Sequence, residues 1–365
     1  MPADEEQVGK VAWEIPLKTI ACSAPYGSGG LGQHLAQVVE DARSDGTLGR
    51  YFTSSIKRGD SAGRQVSQRG TSVLLRYTPA RCSPGWKNYL AGELFDRDVA
   101  ARLEPAPVFT GFGGQALHSF RQARRGGSAV LELVAANSHV NNVWRQHAKA
   151  IRAYNLERSW LNEAQRRKTL REYDMADIIY VASEYTRHSF LREGIAAAKL
   201  HKRIFKAQPH FIPAPAHVDD GLFHILYTGS LTIFKGVPVL LEAFARFAHP
   251  DAQLTLVGGW ATRGMRRYLQ GWQARDPRIH IAPGNPLPYL QQAHVYVHPT
   301  YEDGFSYAPM EALASGVPVI VTEDTGMRDH VQEGVNGYIV PTGDVGAIVE
   351  RLEALWRSPL SGGQP

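Results

Sequence analysis

The chain has 365 residues, 43% of them hydrophobic and 21% charged, which suits two domains and excludes a disordered or collagen-like protein. Its formal net charge of +5 is the sum of two unlike halves: residues 1–216 hold 30 Lys and Arg against 20 Asp and Glu, and residues 217–365 hold 10 against 15. No apolar run reaches the ~18 residues of a spanning helix, and no repeat or heptad array points to a solenoid or a fibre.

Short β-rich runs alternate with helical patterns along the chain. A buried strand at Thr19–Ala24 leads into the glycine-rich Tyr26–Gly32 and an amphipathic stretch, Gln33–Ala42. Further strands are expected at Tyr51–Ile56, Ser72–Tyr77, Ala129–Ala135 and Ile178–Ala182, with a polar loop over 59–71 and one long helix or two over 145–173. Three prolines within Gln208–Asp220 mark an inter-domain crossing, because proline neither continues a helix nor donates to a central strand. The alternation then restarts. Strands are expected at His224–Tyr227, Gln253–Val257, Val295–His298 and Pro318–Thr322, and helices at Pro238–Phe247, Arg263–Trp272, Pro309–Ser315 and Gly346–Arg357. This is the pattern of an α/β protein with two doubly wound parallel sheets facing across a cleft. The expected domains are 1–207 and 221–365, with a hinge at 208–220.

Three segments carry candidate chemistry. Gly27-Ser-Gly-Gly-Leu-Gly32 matches GxGxxG after a strand. The dinucleotide fingerprint also wants an acid ~20 residues on, and Tyr51–Ile56 ends among Ser54, Ser55, Lys57 and Arg58 without one. An NADP site, a plain turn, and a loop that approaches a phosphate or sugar all remain open. In Gly229-Ser-Leu-Thr-Ile-Phe-Lys235-Gly-Val-Pro238 a lysine follows a strand end and precedes a helix. Helix-end amides and one ammonium make an anion site suited to a diphosphate; the alternative is a solvated lysine beside an ordinary turn. In Asp303-Gly-Phe-Ser-Tyr-Ala-Pro-Met-Glu311 two carboxylates stand eight residues apart, and the first turn of a helix beginning near Pro309 would hold Glu311. A carboxylate there compensates the helix dipole and can accept two sugar hydroxyls.

Taken in order, YTGSLTIFKG, VHPTYEDGFSYAPMEALASGVPVIVTE and EGVNGYIVPTGD resemble the retaining nucleotide-sugar glycosyltransferases of the GT-B fold, family 4. GGLGQHLAQVV and ADIIYVASEYTRHSFLREGI are similar to that family's first glycine loop and last N-domain strand and helix, so the resemblance covers about residues 18–350. It implies two Rossmann-like domains, an acceptor-side one and a donor-binding one, with a nucleotide-diphosphate sugar as co-substrate and no other cofactor. It implies that Lys235 neutralises the donor diphosphate, that Glu311 holds the ribose hydroxyls, and that Asp303 stands beside the transferred sugar, where the family usually has Glu. The amides of Gly304, Phe305 and Ser306 would touch sugar and phosphate, Gly29 and Gly30 would let the backbone approach the donor, and His139 would lie against the sugar as a third catalytic residue. The base would lie near Gly284–Leu287. Ser230 replaces the family's usual phosphate-loop Arg, and Glu302 is an alternative to Asp303 in a shifted register. These departures admit a second function, a catalytically degenerate binding or partner protein.

No HExxH, Cys/His cluster or carboxylate cage appears, so no metal is expected. The two cysteines, Cys22 and Cys82, and the acidic start MPADEEQVGK point to the cytoplasm rather than to secretion. Residues 121–171 hold 11 Lys and Arg against 3 Asp and Glu, with Trp144 and Trp160 among them. An anionic membrane or lipid-linked acceptor suits such a segment, with nucleic acid as the rival that is not expected. The expected acceptor is a glycan, a lipid-linked sugar or a small molecule with a free hydroxyl.

Overall fold

Buried, near-continuous apolar runs such as FHILYT, VYVH and VIVT are what strands need when helices cover both faces of a parallel sheet. The computed structural model describes residues 16–67, 73, 75, 77–213 and 220–360, and among them two all-parallel sheets form. The first has seven strands in the order β3-β2-β1-β4-β5-β6-β7. These are β1 Lys18–Ala21, β2 Leu48–Thr53, β3 Gly63–Gln65, β4 Val108–Phe112, β5 Val130–Ala135, β6 Ile178–Val181 and β7 Leu200–Lys202. The second has six, in the order β10-β9-β8-β11-β12-β13: β8 Phe223–Thr228, β9 Ala252–Val257, β10 Ile279–Ala282, β11 Val295–His298, β12 Val319–Thr322 and β13 Gly337–Val340. The order reverses between β1 and β4 and again between β8 and β11, so each sheet has a switch point where its carboxyl-end loops splay into a crevice.

The helices are α1 Gly29–Ser44, α2 Pro84–Arg102, α3 Leu117–Arg125, α4 Val140–Tyr154, α5 Glu163–Met175, α6 Glu184–Arg192, α7 Val237–Arg246, α8 Arg263–Arg275, α9 Leu287–Leu290, α10 Tyr307–Ala314 and α11 Val345–Arg357. The 145–173 region is two helices, because Asn155 at the end of α4 adopts a left-handed conformation, φ 46°, and stops it. Within the expected loop 59–71 the short edge strand β3 pairs with β2, and residues 68–71 lie outside the described residues. The expected strand Ser72–Tyr77 falls largely outside them too; its described residues Val73, Leu75 and Tyr77 are helical instead. Most of the expected crossing, residues 214–219, is likewise outside.

One buried polar cluster organises the first half. Glu172 on α5 accepts hydrogen bonds from the amides of Gly114 (2.5 Å), Ala116 (2.9 Å) and Leu117 (3.1 Å), which satisfies the N-terminus of α3 from across the fold. Asp96 on α2 takes the next two amides, those of His118 and Ser119, at 2.9 Å each. Lys168 is the counter-charge, 2.9 Å from Glu93 and 2.8 Å from Asp96. Burial pushes the Glu172 carboxyl up to about 7, against the pull of Lys168 and the amides. Replacing Glu172 with alanine strands three buried amides, so Glu172→Ala should destabilise the protein by about 3 kcal/mol. The urea unfolding midpoint checks it, and an unchanged midpoint would contradict the assignment.

Candidate active site

The two switch points face each other across a cleft of about 780 Å³. From the first half, Gly29, Gly30 and His34 line it, with Ala136 and Asn137 from the loop after β5. From the second come Ser230 and Lys235 after β8, Trp260 after β9, Gly284 and Pro286 after β10, and Asp303, Phe305 and Ser306 after β11, with Glu311 on α10. At Gly29, with φ +64°, and at Gly30, an added Cβ would meet nothing within 4 Å, so bare backbone faces the open cleft.

Lys235 and Asp303 form the charged centre. Lys235 Nζ stands 2.5 Å from Asp303 Oδ2, and His298 Nε2 is 3.4 Å from the same oxygen, an ion-pair separation rather than an aligned hydrogen bond. Burial pushes the Asp303 carboxyl up, but Lys235 and His298 outweigh it and hold the group well below the usual carboxylate range. Burial also pushes the His298 pKa down, against the pull of Asp303. Glu311 is different: burial alone pushes it up to about 7, and no cation pairs with it among the described residues. Its helix begins at Tyr307, so Glu311 is in the second turn and not in the first, because the helix starts two residues before Pro309.

The structure separates the two neighbouring acids. Glu302 turns away from the cleft and accepts from the Ser138 amide (2.8 Å) and Asn137 Nδ2 (3.2 Å). Asp303 therefore occupies the cleft position and Glu302 fastens the two halves. Gly304 belongs to the same fastening and does not line the cleft. A Cβ there would stand 2.5 Å from the Ala136 carbonyl oxygen, and its own carbonyl accepts from Ser183 Oγ at 2.9 Å and Thr186 Oγ1 at 3.2 Å. On the far side, Glu157 accepts from the Ile233 amide (2.8 Å) and Thr262 Oγ1 (2.9 Å), and the His147 ring packs 4.2 Å from that of Phe234.

Of the residues singled out in the sequence, Gly29, Gly30, Ser230, Lys235, Asp303, Phe305, Ser306 and Glu311 come together in the cleft, and Gly304 and His139 do not. His139 is 2% exposed inside the first half, where its Nδ1 accepts the Asn141 amide at 3.2 Å and its ring packs on Tyr173 and Phe190. Its position as the N-cap of α4 turns the ring into the core, and burial pushes its pKa down to about 4. His34 occupies the cleft instead, and sequence reasoning passed over it. It lies one helical turn after Gly30, a spacing that puts both on one face. It is 3% exposed, held neutral by burial with a pKa of about 4, and neither ring nitrogen has a partner among the described residues. Glu93, Asp96 and His118 bring ligand atoms close enough for a metal, but the Lys168 ammonium already sits between the two carboxylates.

Comparison with known proteins gives this geometry a context. Residues 223–358 match the sequence model described as "Glycosyl transferases group 1". The capsular polysaccharide biosynthesis glycosyltransferase CapM of Staphylococcus aureus is 32% identical over 142 residues, 36% of this chain and 36% of that protein. A D-inositol 3-phosphate glycosyltransferase of an Arthrobacter strain is 30% identical over 168 residues, 42% of this chain and 40% of the relative. These alignments thus span about two fifths of the curated relatives. Over nearly the whole chain the likeness is one of fold. Sucrose-phosphate synthase from Thermosynechococcus elongatus aligns with a TM-score of 0.71 at 19% identity, covering 96% of this chain and 92% of its own. HepE of Anabaena, in a structure with UDP and glucose, aligns with a TM-score of 0.68 at 13% identity, covering 94% and 90%. By sequence, residues 223–358 are similar to the group 1 glycosyltransferases, and by architecture the chain has the GT-B fold.

Proposed function

We propose that the cleft transfers a hexose from a nucleoside diphosphate sugar to a hydroxyl acceptor, with retention of configuration. The observation that carries this reading is the meeting of Lys235, Asp303 and Glu311 at the switch point of the second sheet, inside the segment that matches the family. Residues 221–365 are then the donor domain and 1–207 the acceptor side, joined through 208–220. The Lys235 ammonium and the backbone ahead of α7 meet the diphosphate where negative charge grows as the leaving group departs, so no metal is invoked. Ser230 contributes a hydroxyl there where an arginine would contribute charge. Glu311 accepts the ribose hydroxyls, Asp303 and the amides near Phe305 and Ser306 address the sugar, and Gly29 and Gly30 admit it. In the transfer the bond from the sugar anomeric carbon to the phosphate oxygen breaks as that to the acceptor oxygen forms, and the departing phosphate takes the acceptor proton. A catalytically degenerate partner protein and an NADP-dependent enzyme are the outcomes to be excluded.

The tests follow from these roles. Screening UDP, GDP, ADP and NADP for thermal stabilisation should give a rise in Tm with one of the first three; a response to NADP alone, or to none, contradicts the reading. Lys235→Ala should lower kcat/KM about 100-fold, the size of one lost transition-state donor, and cellular function unchanged by it would favour the partner protein. Glu311 adds a pH signature. Free Glu311 is protonated near and below about 7, whereas accepting two hydroxyls requires the carboxylate, so nucleotide binding expels a proton. Affinity should fall by up to about tenfold per unit as pH drops below 7, and Glu311→Gln should flatten that slope in calorimetric titrations. A wild-type affinity independent of pH between 5.5 and 7.5 would rule it out.

The basic segment supports a cytoplasmic enzyme that touches an anionic membrane. Several of its cations are spent inside the protein: Arg124 pairs with Asp177, Arg145 with Glu193, and Arg166 and Arg167 with Glu163. Arg121, Arg125, Lys149, Arg152, Arg158 and Arg171 stay exposed, as does Trp144. The protein should sediment with anionic vesicles at low salt and not with neutral ones; no sedimentation with either counts against membrane contact.

A further inference from the structure

A second cavity, of about 300 Å³, lies in the first half and meets the cleft at Leu31, Ala136 and Asn137. It opens at the other switch point, beyond β1 and β4, and its volume is at the small end of ligand pockets, room for a single ring. Its walls carry amides and hydroxyls, among them Asn88, Gln165 and Thr169, and the indole of Trp160, which is 36% exposed. Among the described residues that line it, none is charged.

What stands behind the wall sharpens this. The N-terminus of α3 runs up to the cavity at Gly114, and a free helix end there would attract a phosphate or carboxylate. Here Glu172 and Asp96 of the chain itself already take its five amides, and Lys168 is saturated by Glu93 and Asp96. An anion entering the cavity would lose its water, find no cation, and face buried acidic groups. A neutral ring has no charge to desolvate; Gln165 Nε2 and Thr169 Oγ1 are already bonded within the wall, so its hydroxyls would meet the Asn88 amide at the rim.

We propose that this cavity is the acceptor subsite and that it selects an uncharged, hydroxyl-bearing ring of monosaccharide size, with Trp160 as its apolar wall. The class of acceptor rests on the transferase reading above; the chemistry of the cavity does not. The acceptor is therefore unlike the phosphorylated one in the name of the Arthrobacter relative, and a charged carrier group remains outside the pocket. Trp160 belongs to the 155–161 connection, which Glu157 ties to the Ile233 amide, two residues before Lys235. A single hydrogen bond thus links the segment that carries this wall to the donor loop.

The test uses the full chain and two separate readouts. Saturation-transfer NMR compares the methyl α-pyranosides of glucose, galactose and mannose with glucose 6-phosphate and inositol 1-phosphate, and calorimetry follows nucleotide binding. At least one methyl pyranoside should bind and the phosphates should bind more weakly. Trp160→Ala should weaken the pyranoside at least tenfold and Asn88→Leu, at the exposed rim, at least threefold. Nucleotide affinity should change less than twofold in both. Binding of no pyranoside, phosphates that bind as well, or two variants without effect would each overturn the proposal. A chain that binds a pyranoside and no nucleotide supports the cavity and sinks the donor assignment alone.

Discussion

The cleft exists because two loops touch backbone to backbone. The turn after β11 lies so close to the turn after β5 that any side chain on Gly304 would run into the Ala136 carbonyl and the Asn137 Cα. That contact fixes the directions of the residues before it. Glu302 is turned towards the Ser138 amide and is consumed in holding the halves together, and its neighbour Asp303 is thereby aimed at Lys235. One glycine decides which of two adjacent acids is structural and which faces the ligand. Burial pushes the Glu302 carboxyl up, and the Ser138 amide and Asn137 side chain that it accepts from offset part of that cost.

Bulk charge is a poor guide to where ligands meet this protein. The acidic half holds the site proposed for a diphosphate, and the favourable field there comes from one lysine and oriented backbone, both short-ranged and partly enclosed. The basic half has its excess on outer helical faces, and the cavity it encloses has an uncharged lining. Lys168, the one buried lysine among its described residues, is surrounded by Glu93, Asp96 and Glu172. The net charges of the halves are therefore surface properties, relevant to what the molecule approaches and silent about what enters it.

Legibility from sequence tracked the distance over which each feature is determined. Four of the six strands of the second half were readable as apolar runs, while the short β10 and β13 were not expected, and its site residues lie within a few positions of strand ends: Lys235 seven residues after Thr228, Asp303 five after His298. β4, Val108–Phe112, gave no alternation because all five residues are buried, and its internal glycine reads as a turn. Helix α2 was hidden by charged residues such as Glu93 and Asp96, which are buried only because Lys168 arrives from 70 or more residues away. His139 was misplaced for a related reason. Its position after β5 is near the cleft, but N-capping of α4 turns the ring inward, and no local pattern encodes that rotation.

The histidines also bear on how the proposed transfer handles its proton. His34, His139 and His147 are all pushed by burial to about 4 or below, and each packs its ring on an aromatic neighbour: Phe205, Tyr173 and Phe234. They are neutral rings serving as packing pieces, and two of them, His34 and His147, also join the halves through Phe305, Tyr307 and Phe234. A base that must hold a proton at neutral pH needs a pKa near 7, which none of these three has. Glu311 has such a pKa, but its place on α10 suits the nucleotide, and Asp303 is held as an anion by Lys235. The proposed transfer accordingly sends the acceptor proton to the departing phosphate, whose basicity rises as its bond to the sugar lengthens. On that proposal the protein's part is to place that oxygen and the acceptor hydroxyl together, and the close contact at Gly304 and the Glu157 tie of the Trp160 segment are suited to it.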